Sequence, residues 1–276
     1  MKVLLTGADG FIGKAVAKAL SNKGIKYVAI DRSFFDTDNT PGEMQDDISL
    51  LMHDVDVVIH LGAMSNTLST NVNEVMMFNY LISKMIFDCA STNHAKVVFA
   101  SSASVYGSDD EVPNNLYAWS KLVAEDYGVN KGGLLFISLR YFNCYGNGEE
   151  HKGKMASIAY QAYQQYYKNS KRFRLFKGSP RRDFIYIDDV VQATIHALLN
   201  VLPPGCYDVG TGTSHTFEQV LEHLKIPFDY YENEDIVPEG YQWYTCADKS
   251  FRLPGWLPKY SLEQGLMQYK DYLENA

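Results

Sequence analysis

A glycine-rich turn near the start of the chain constrains its fold more than any other feature. Gly7, Gly10 and Gly13 follow the apolar run KVLLT directly and open a segment of helical composition, FIGKAVAKAL. In a strand–turn–helix unit the first glycine permits a tight turn, the second lets a pyrophosphate approach the backbone, and the third lets the helix pack closely. The helix N-terminus adds oriented N–H groups for phosphate oxygens. These glycines, with Phe11 and Ile12 among them, predict a dinucleotide-binding turn; the alternative is a turn without a ligand.

The residues after the second apolar run bear on which dinucleotide is bound. Asp31 follows KYVAI directly, and Arg32 comes next. An acidic residue at this place bonds the adenosine ribose hydroxyls and disfavours a 2′-phosphate, whereas an arginine nearby accommodates that phosphate. Asp31 slightly favours NAD, and because of Arg32 NADP stays open.

Five short runs rich in Val, Ile, Leu and Phe alternate with segments of helical length. We interpret these runs as buried strands at 2–6, 26–30, 55–60, 95–101 and 134–140. Near-continuous apolar strands separated by helices are typical of a parallel sheet that is covered on both faces. A further short strand is predicted around Asp46, Asp47 and Ile48. The pattern indicates the α/β class, with a doubly wound parallel sheet of the Rossmann type.

The regular alternation of strands and helices ends near residue 147. Beyond it, helical stretches mix with isolated strand-like pieces such as FRLF and CYDVG. We therefore expect two domains. An NAD(P)-binding Rossmann domain takes 1–147 plus returning segments near 178–212, and a smaller C-terminal α/β substrate-binding domain takes 148–177 and 213–276.

Composition and charge limit the classes of function and partner. The formal net charge of −8 argues against general nucleic-acid binding, which requires a basic surface. No apolar run is long enough to span a bilayer, and glycine and aspartate interrupt the first apolar stretch too early for a signal peptide. The four cysteines show no CxxC spacing, so neither a zinc site nor a disulfide framework is predicted. We expect a cytoplasmic protein without a metal or a membrane partner.

Basic residues are concentrated in one part of this acidic chain. Residues 151–182 contain nine Lys or Arg and no Asp or Glu, so the remainder carries 16 basic and 33 acidic residues. The segment follows RYFNCYG closely and begins with His151, Lys152 and Lys154. A solvated helix face is one explanation of such a run, and a local site for an anion is the other.

A tyrosine and a lysine with helical spacing form a candidate catalytic pair. Tyr117 and Lys121 lie four residues apart in NNLYAWSKLVAED, which puts both side chains on one face of a helix. An ammonium near a phenol stabilises the phenolate, so we expect a lowered tyrosine pKa. Upstream, FASSASVYG ends a predicted strand with Ser101 and Ser102, whose hydroxyls can bond a substrate oxygen. Tyr–Lys pairs are common on surfaces, but the position of this one after a dinucleotide turn and paired serines favours catalysis.

Taken in order, the motifs TGADGFIG, HLGA, SSASVYG, YAWSK and RYFNCYG resemble those of extended short-chain dehydrogenase/reductases that modify nucleotide sugars. The resemblance extends over nearly the whole chain. It implies that Tyr117 is the acid/base, that Lys121 also holds the nicotinamide ribose, and that Ser102 orients a sugar hydroxyl. A homo-oligomer is expected by the same analogy. Further cofactor contacts are implied for Asp47, Ile48, Leu61, Gly62, Ala63, Asn79 and Tyr141, and substrate contacts for Ser65 and Asn143.

Motifs in the C-terminal half are similar to those of one subfamily, the ADP-glycero-manno-heptose 6-epimerases of bacterial envelope synthesis. They are EEHKGKMASIA, LFKGSPRRDFIYIDDV, YDVGTGTSHTFEQV and GYQWYTCAD. The similarity implies that Lys152 is a second acid/base and that Arg182, beside Arg181, clamps the nucleotide diphosphate. Further substrate contacts are implied for Lys154, Phe176 and Tyr241.

The implied activity is that of an isomerase, a nucleotide-sugar epimerase that uses NAD or NADP without net redox change. The cofactor takes hydride from a carbinol carbon to give a ketosugar and returns it to the opposite face. Either the ketosugar turns between the two steps, or acid/base groups serve both orientations of the reacting group. Tyr117 and Lys152 meet that need.

Several alternatives stay open. A nucleoside-diphosphate hexose 4-epimerase needs the same serine, tyrosine and lysine but not Lys152. A 4,6-dehydratase usually has an Asp-Glu pair after the catalytic hydroxyl, where this chain has Ala103 and Ser104. A ketoreductase or a non-catalytic cofactor-binding protein would carry the same cofactor motifs. Two departures from the subfamily, Gly240 in place of an arginine and a short segment 107–116, leave the sugar and the nucleotide base open.

Overall fold

The computed structural model describes residues 1–36, 39–107, 112–232 and 241–275. The strands in these ranges are β1 (Lys2–Thr6), β2 (Lys26–Ile30), β3 (Val57–His60), β4 (Lys96–Ser102), β5 (Phe136–Tyr141), β6 (Asn143–Tyr145), β7 (Phe173–Leu175), β8 (Arg181–Arg182), β9 (Phe184–Tyr186), β10 (Gly205–Val209), β11 (His215–Thr216) and β12 (Phe228–Tyr230). The α-helices are α1 (Phe11–Asn22), α2 (Arg32–Phe35), α3 (Pro41–Leu51), α4 (Val72–Met76), α5 (Ile82–Thr92), α6 (Leu116–Asn130), α7 (Ile158–Tyr163), α8 (Ile187–Leu199), α9 (Phe217–Leu224) and α10 (Leu262–Asn275). None of the helices in the described ranges has the length and apolarity needed to cross a bilayer.

Six parallel strands form the central sheet in the order β10-β5-β4-β3-β1-β2. The register pairs Val3 with Val57 and Val98 with Ile137. The chain order reverses between β1 and β3, and helices cover both faces, so the predicted doubly wound sheet of the Rossmann type is confirmed. In such folds ligands bind beyond the carboxyl ends of the strands at this switch point.

The strand predicted around Asp46, Asp47 and Ile48 is wrong, because these residues lie in helix α3. The Thr40 hydroxyl accepts from the Glu43 N–H at 3.3 Å, and the Glu43 carboxylate accepts from the Thr40 N–H at 2.8 Å. This reciprocal capping box, followed by a proline in the first turn, starts a helix rather than a strand. The five apolar runs predicted as strands are confirmed as β1 to β5.

Successive residues of the central strands face two separate cores. Leu4 packs in one core with Ile48 of α3 and Ile86 of α5, whereas Val3 and Leu5 pack in the other with residues of α1 and α8. All five side chains are fully buried. Burial of one such aliphatic side chain contributes about 1.5–3 kcal/mol, so a strand with both faces covered is apolar at every position.

The C-terminal part contributes a third core and three small two-stranded sheets. The sheets pair β11 with β8, β12 with β7, and β6 with β9. Helices α7, α9 and α10 pack together through Tyr163, Leu221 and Leu266. Strand β10 returns to the main sheet beside β5. A smaller C-terminal α/β unit is therefore present, and the residue limits predicted for the two domains stay a prediction.

Two glycine-to-alanine variants test how tightly α1 packs on the turn before it. A Cβ on Gly13 would lie 1.9 Å from the carbonyl oxygen of Gly7, a backbone atom that cannot rotate away. A Cβ on Gly42, in the first turn of α3, would meet no atom closer than 4.0 Å. We expect Gly13→Ala to lower the free energy of unfolding by about 1–3 kcal/mol, as overpacking does.

Gly42→Ala is the matched control for that prediction. Its added methyl group has room, and alanine favours a helix, so the free energy of unfolding should stay the same or rise slightly. Urea unfolding of both variants measures the difference. Equal stability of the two would contradict the close approach of α1 to the turn.

Candidate active site

A cleft of ≈ 900 Å³ opens beyond the carboxyl ends of the central strands. One side consists of the turn after β1, the segment after β3, the end of β4 and the start of α6. The C-terminal unit supplies the other side with residues of β7, with Arg182 and with Tyr241. The cleft therefore lies where the dinucleotide turn, the Tyr–Lys helix and the basic segment of the sequence meet.

The glycine turn has the form that a dinucleotide pyrophosphate requires. Gly7 adopts a φ of +70°, and a Cβ on it would lie 2.6 Å from the Gly62 nitrogen. Gly10 is the N-cap of α1, no side chain caps the helix there, and its first turn contains no acidic residue. The first N–H groups of α1 are thus left for an anion. These features fit NAD, whose pyrophosphate would be held by the turn.

Asp31 and Arg32 both have protein partners beside this turn. The Asp31 carboxylate accepts from the N–H groups of Asp9 and Arg32, each at 2.7 Å. The Arg32 guanidinium forms an ion pair with Glu74 at 2.8 Å and lies 4.5 Å from the centre of the Phe78 ring. The positive charge of Arg32 is therefore already compensated.

Helix α6 carries the candidate catalytic pair into the cleft. The Asn115 side chain caps the helix by accepting from the Ala118 N–H at 2.9 Å, and Tyr117 and Lys121 then both line the cleft. Lys121 is only 2% exposed, and its Nζ donates to the Ala100 carbonyl at 2.8 Å. Burial lowers the Lys121 pKa to about 7, while the charge of Glu125 acts in the opposite direction.

The Tyr117 phenol differs from the expectation of a lowered pKa. Burial raises its pKa, and only a hydrogen bond with Ser102 acts in the lowering direction. The reason is that Lys121 is itself buried, bonds the Ala100 carbonyl and has a lowered pKa. In this state Tyr117 keeps its proton at neutral pH. The Ser102 oxygen also accepts from the Ser104 N–H at 3.1 Å, which fixes its position.

Lys152 lies on a short helical segment, Glu150–Met155, and lines the cleft. It is half-buried, and its Nζ lies 5.2 Å from the centre of the Phe11 ring. Buried Glu149 holds the segment at both ends, because its carboxylate accepts from the Gly146 N–H at 3.2 Å and from the Ser157 N–H at 2.5 Å. The ammonium of Lys152 is thereby placed near the start of α1.

Arg182 brings a buried positive charge to the cleft. It is 7% exposed and donates to the backbone carbonyls of Arg181 and Gln242. Its guanidinium carbon lies 5.1 Å from the ring centre of Tyr241 and 5.9 Å from that of Phe217. In the described part of the chain no carboxylate forms an ion pair with it, and burial lowers its pKa. A buried cation in this situation favours an anionic ligand.

The structure brings most of the predicted site residues to this one cleft. Its lining includes Gly7, Gly10, Phe11, Ile12, Gly13, Leu61, Ala63, Ser65, Ser102, Tyr117, Lys121, Tyr141, Asn143, Lys152, Phe176, Arg182 and Tyr241. Outside that lining are Asp31, Arg32, Asp47, Ile48, Gly62, Asn79 and Lys154. Gly240 lies outside the described residues, as does the part of the short segment 107–116 that spans 108–111.

The predicted residues outside the lining are placed for different reasons. Gly62 lies behind Gly7 in the turn, and Asn79 is fully buried. Because α3 replaces the predicted strand, Ile48 belongs to the core and Asp47 bonds Asn39 at 3.0 Å. Lys154 is exposed beside a separate surface depression.

Other residues of the cleft lie outside the predicted set, and they include Asn115, Gln161, Phe217, Gln242 and Thr245. Two of them had a local signal, since Gln242 follows Tyr241 directly and Asn115 precedes the Tyr–Lys helix. Gln161 lies on α7, and Phe217 begins α9. No sequence signal separates these two from ordinary surface or core residues.

Comparisons with known proteins agree with this geometry. The family described as the NAD dependent epimerase/dehydratase family matches residues 3–210. An ADP-L-glycero-D-manno-heptose-6-epimerase of Brachyspira hyodysenteriae (strain ATCC 49526 / WA1) is 32% identical over 99% of this chain and 98% of its own length.

Two solved structures share the fold over all of this chain. The crystal structure of the Helicobacter pylori ADP-L-glycero-D-manno-heptose-6-epimerase has a TM-score of 0.86 and 27% identity, with 96% of that chain covered. The UDP-glucose 4-epimerase of Thermotoga maritima, solved with UDP-glucose, has a TM-score of 0.84 and 22% identity, with 99% covered. The glycine turn, the Tyr–Lys helix and the family match all agree. The chain therefore belongs to the NAD dependent epimerase/dehydratase family.

Proposed function

We propose that this protein is an NAD-dependent nucleotide-sugar epimerase that inverts C6 of an ADP-glycero-manno-heptose. One observation carries the proposal: Tyr117 of α6 and Lys152 of the segment Glu150–Met155 line the same cleft, together with the glycine turn and Arg182. The 32% identical relative named an ADP-L-glycero-D-manno-heptose-6-epimerase supports the choice of substrate. An epimerase that holds its reacting centre in two orientations can use one acid/base group for each of them.

Tyr117 and Ser102 are proposed to bind the reacting hydroxyl. Both side chains line the cleft, and Ser102 is close enough to Tyr117 to act on its pKa, so the two hydroxyls can orient a single substrate oxygen. Bound NAD supplies the reversible oxidation of the carbinol carbon. Tyr117 moves the proton at that oxygen in one orientation, and Lys152 moves it in the other. Lys121, fixed on the Ala100 carbonyl, is proposed to hold the ribose beside Tyr117.

Arg182 is proposed to bind the diphosphate of the substrate. A nucleotide diphosphate would compensate its buried charge, and Asn143 lines the same cleft. The nucleotide base would lie among the aromatic rings nearby, where Phe176 and Tyr241 have ring centres 5.0 Å apart. Ser65 lines the cleft from the segment after β3 and is proposed to contact the sugar.

NAD rather than NADP is proposed as the resident cofactor. The Asp31 carboxylate faces the turn, where it would repel a 2′-phosphate, and Arg32 is already paired with Glu74. Cofactor released from purified protein by denaturation should therefore be NAD, as identified by mass spectrometry. Recovery of NADP alone would contradict this assignment.

The reaction itself is tested by incubating the holoenzyme with purified C6 epimers of ADP-glycero-manno-heptose. Proton NMR should show each epimer converting to the same mixture, with no consumption of added NADH. UDP-glucose and UDP-galactose serve as comparison substrates. Inversion confined to C4 of these hexoses would replace the heptose assignment by a 4-epimerase. Stoichiometric use of NADH would instead indicate a ketoreductase.

Two further features of the protein stay predictions. A homo-oligomer is expected from family analogy and can be measured by light scattering. A reducing cytoplasm is proposed as its location, in keeping with four cysteines that are all free thiols.

A further inference from the structure

A buried chain of hydrogen bonds starts at the dinucleotide turn. The Gly62 N–H donates to Thr6 Oγ1 at 3.1 Å, and Thr6 Oγ1 lies 2.6 Å from His60 Nδ1. The other ring nitrogen, His60 Nε2, lies 2.8 Å from Ser83 Oγ. Ser83, on α5, donates to the Asn79 carbonyl at 2.6 Å. All the side chains in this chain are buried, and none of them lines the cleft.

The chain continues into the helix that carries the Tyr–Lys pair. Asn79 Nδ2 donates to Ser120 Oγ at 2.9 Å, and Ser120 Oγ donates to the Tyr117 carbonyl at 2.7 Å. The same amide holds the segment after β3, because it accepts from the Met64 N–H at 2.7 Å and donates to the Met64 carbonyl at 3.0 Å. Asn79 lies in the π-helical turn Met77–Leu81, a local irregularity that is frequent at functional sites.

The proton count fixes the direction of every bond, because each hydroxyl has one proton to give. Ser83 gives its proton to a carbonyl, so it accepts from His60, and Nε2 carries the ring proton. Nδ1 then accepts from Thr6, whose oxygen accepts in turn from the Gly62 N–H. A charged imidazole would aim a second N–H at Thr6 and displace that hydroxyl's proton from its acceptor. Burial, with the charge of Lys121, lowers the His60 pKa to about 3, in agreement with a neutral ring.

We propose that His60, Ser83 and Asn79 are positioning residues that couple the dinucleotide turn to the Tyr117 helix. One end of the chain fixes Gly62, which lies against Gly7 in the turn, and the other end fixes the backbone of Tyr117. Breaking a middle link leaves a buried donor or acceptor unsatisfied, and the structure relaxes most easily towards the open cleft. The effect on turnover rests on the proposed function, whereas the effect on cofactor binding rests only on the glycine turn.

A matched pair of serine variants tests the proposal. Ser138, on β5, is as buried as Ser83 and donates to Glu125 at 2.6 Å, but it takes no part in this chain. Ser83→Ala and Ser138→Ala each remove one buried hydroxyl, so both should lower the Tm. Only Ser83→Ala should speed the release of NAD from the holoenzyme, by about tenfold, as measured by exchange with labelled NAD. It should also lower kcat about tenfold while KM for the sugar changes by less than about twofold.

A second measurement on the wild type needs no sugar and no altered fold. Nitrogen-15 NMR of histidine-labelled protein, with His60 assigned by the loss of its signal in His60→Gln, should show a protonated Nε2 and a bare Nδ1. A proton on Nδ1, or a charged ring at neutral pH, would overturn the bond directions. Equal NAD release from Ser83→Ala and Ser138→Ala would overturn the positioning role. If only the sugar reaction is absent while both other results hold, the proposed function fails and the coupling stands.

Discussion

Replacing Tyr117 by phenylalanine should lower kcat by about 10²- to 10⁴-fold, the usual contribution of a positioned acid/base. The change removes one oxygen, and the ring keeps its place in the first turns of α6, so the fold should persist. Bound NAD should also persist, because the glycine turn and Lys121 remain. NMR measures the rate of epimer formation, and the absorbance of the released cofactor measures its content.

Tyr127→Phe is the matched control on the same helix. The Tyr127 hydroxyl donates to Asp88 at 2.5 Å and does not line the cleft. The control loses one hydroxyl bond, as the test variant does, but kcat should stay within about twofold because no proton moves at Tyr127. Wild-type turnover in Tyr117→Phe would show that Tyr117 is not the acid/base, and it would contradict the proposed enzymatic function.

Lys152→Met should have the second largest effect, a loss of about 10²-fold or more in kcat for inversion at C6. Methionine has a similar length and can pack against Phe11, so the fall in kcat measures the contribution of the ammonium group alone. The Kd for ADP should change by only a few-fold, since Arg182 carries most of the proposed diphosphate binding. Isothermal titration measures that Kd, and NMR measures turnover.

Lys154→Met is the matched control for Lys152→Met. It distinguishes a specific acid/base role of Lys152 from a general effect of positive charge. Lys154 is two residues away, exposed and outside the cleft, and its removal changes the net charge by the same amount. Its turnover should stay within about twofold of wild type. Equal losses in both lysine variants would argue for a field effect, and unchanged turnover in Lys152→Met would favour the 4-epimerase alternative.

The central sheet was predictable because strands covered on both faces must be apolar at every position, which separates them from amphipathic helices. Helix α3 was not predicted, although its signal was present: Thr40, Pro41 and Glu43 form a helix start that local reading can detect. A short strand around Asp46, Asp47 and Ile48 was instead predicted, to continue the alternation of strands and helices. In the structure the local capping signal prevails over that alternation.

The candidate site was predictable where its residues follow each other in short motifs, as Gly7 to Gly13 and Tyr117 to Lys121 do. Contacts between distant segments were not. Thr6 and His60 bond each other across 54 positions, and no local pattern marks them as partners. The direction in which the Tyr117 pKa shifts was also predicted wrongly. It depends on how deeply Lys121 is buried and on which carbonyl Lys121 bonds.

The two lysines of the cleft differ in what supports them. Lys121 is attached to the carbonyl of a central strand, so moving it would disturb the sheet itself. Lys152 depends on a short helical segment that one carboxylate, Glu149, holds at both ends. Substitutions within that segment can therefore exchange or shift the second proton-carrying group without loosening the core. In evolution the stereochemical outcome of such an enzyme can change faster than its fold, and residues 147–157 are where divergence between related enzymes should begin.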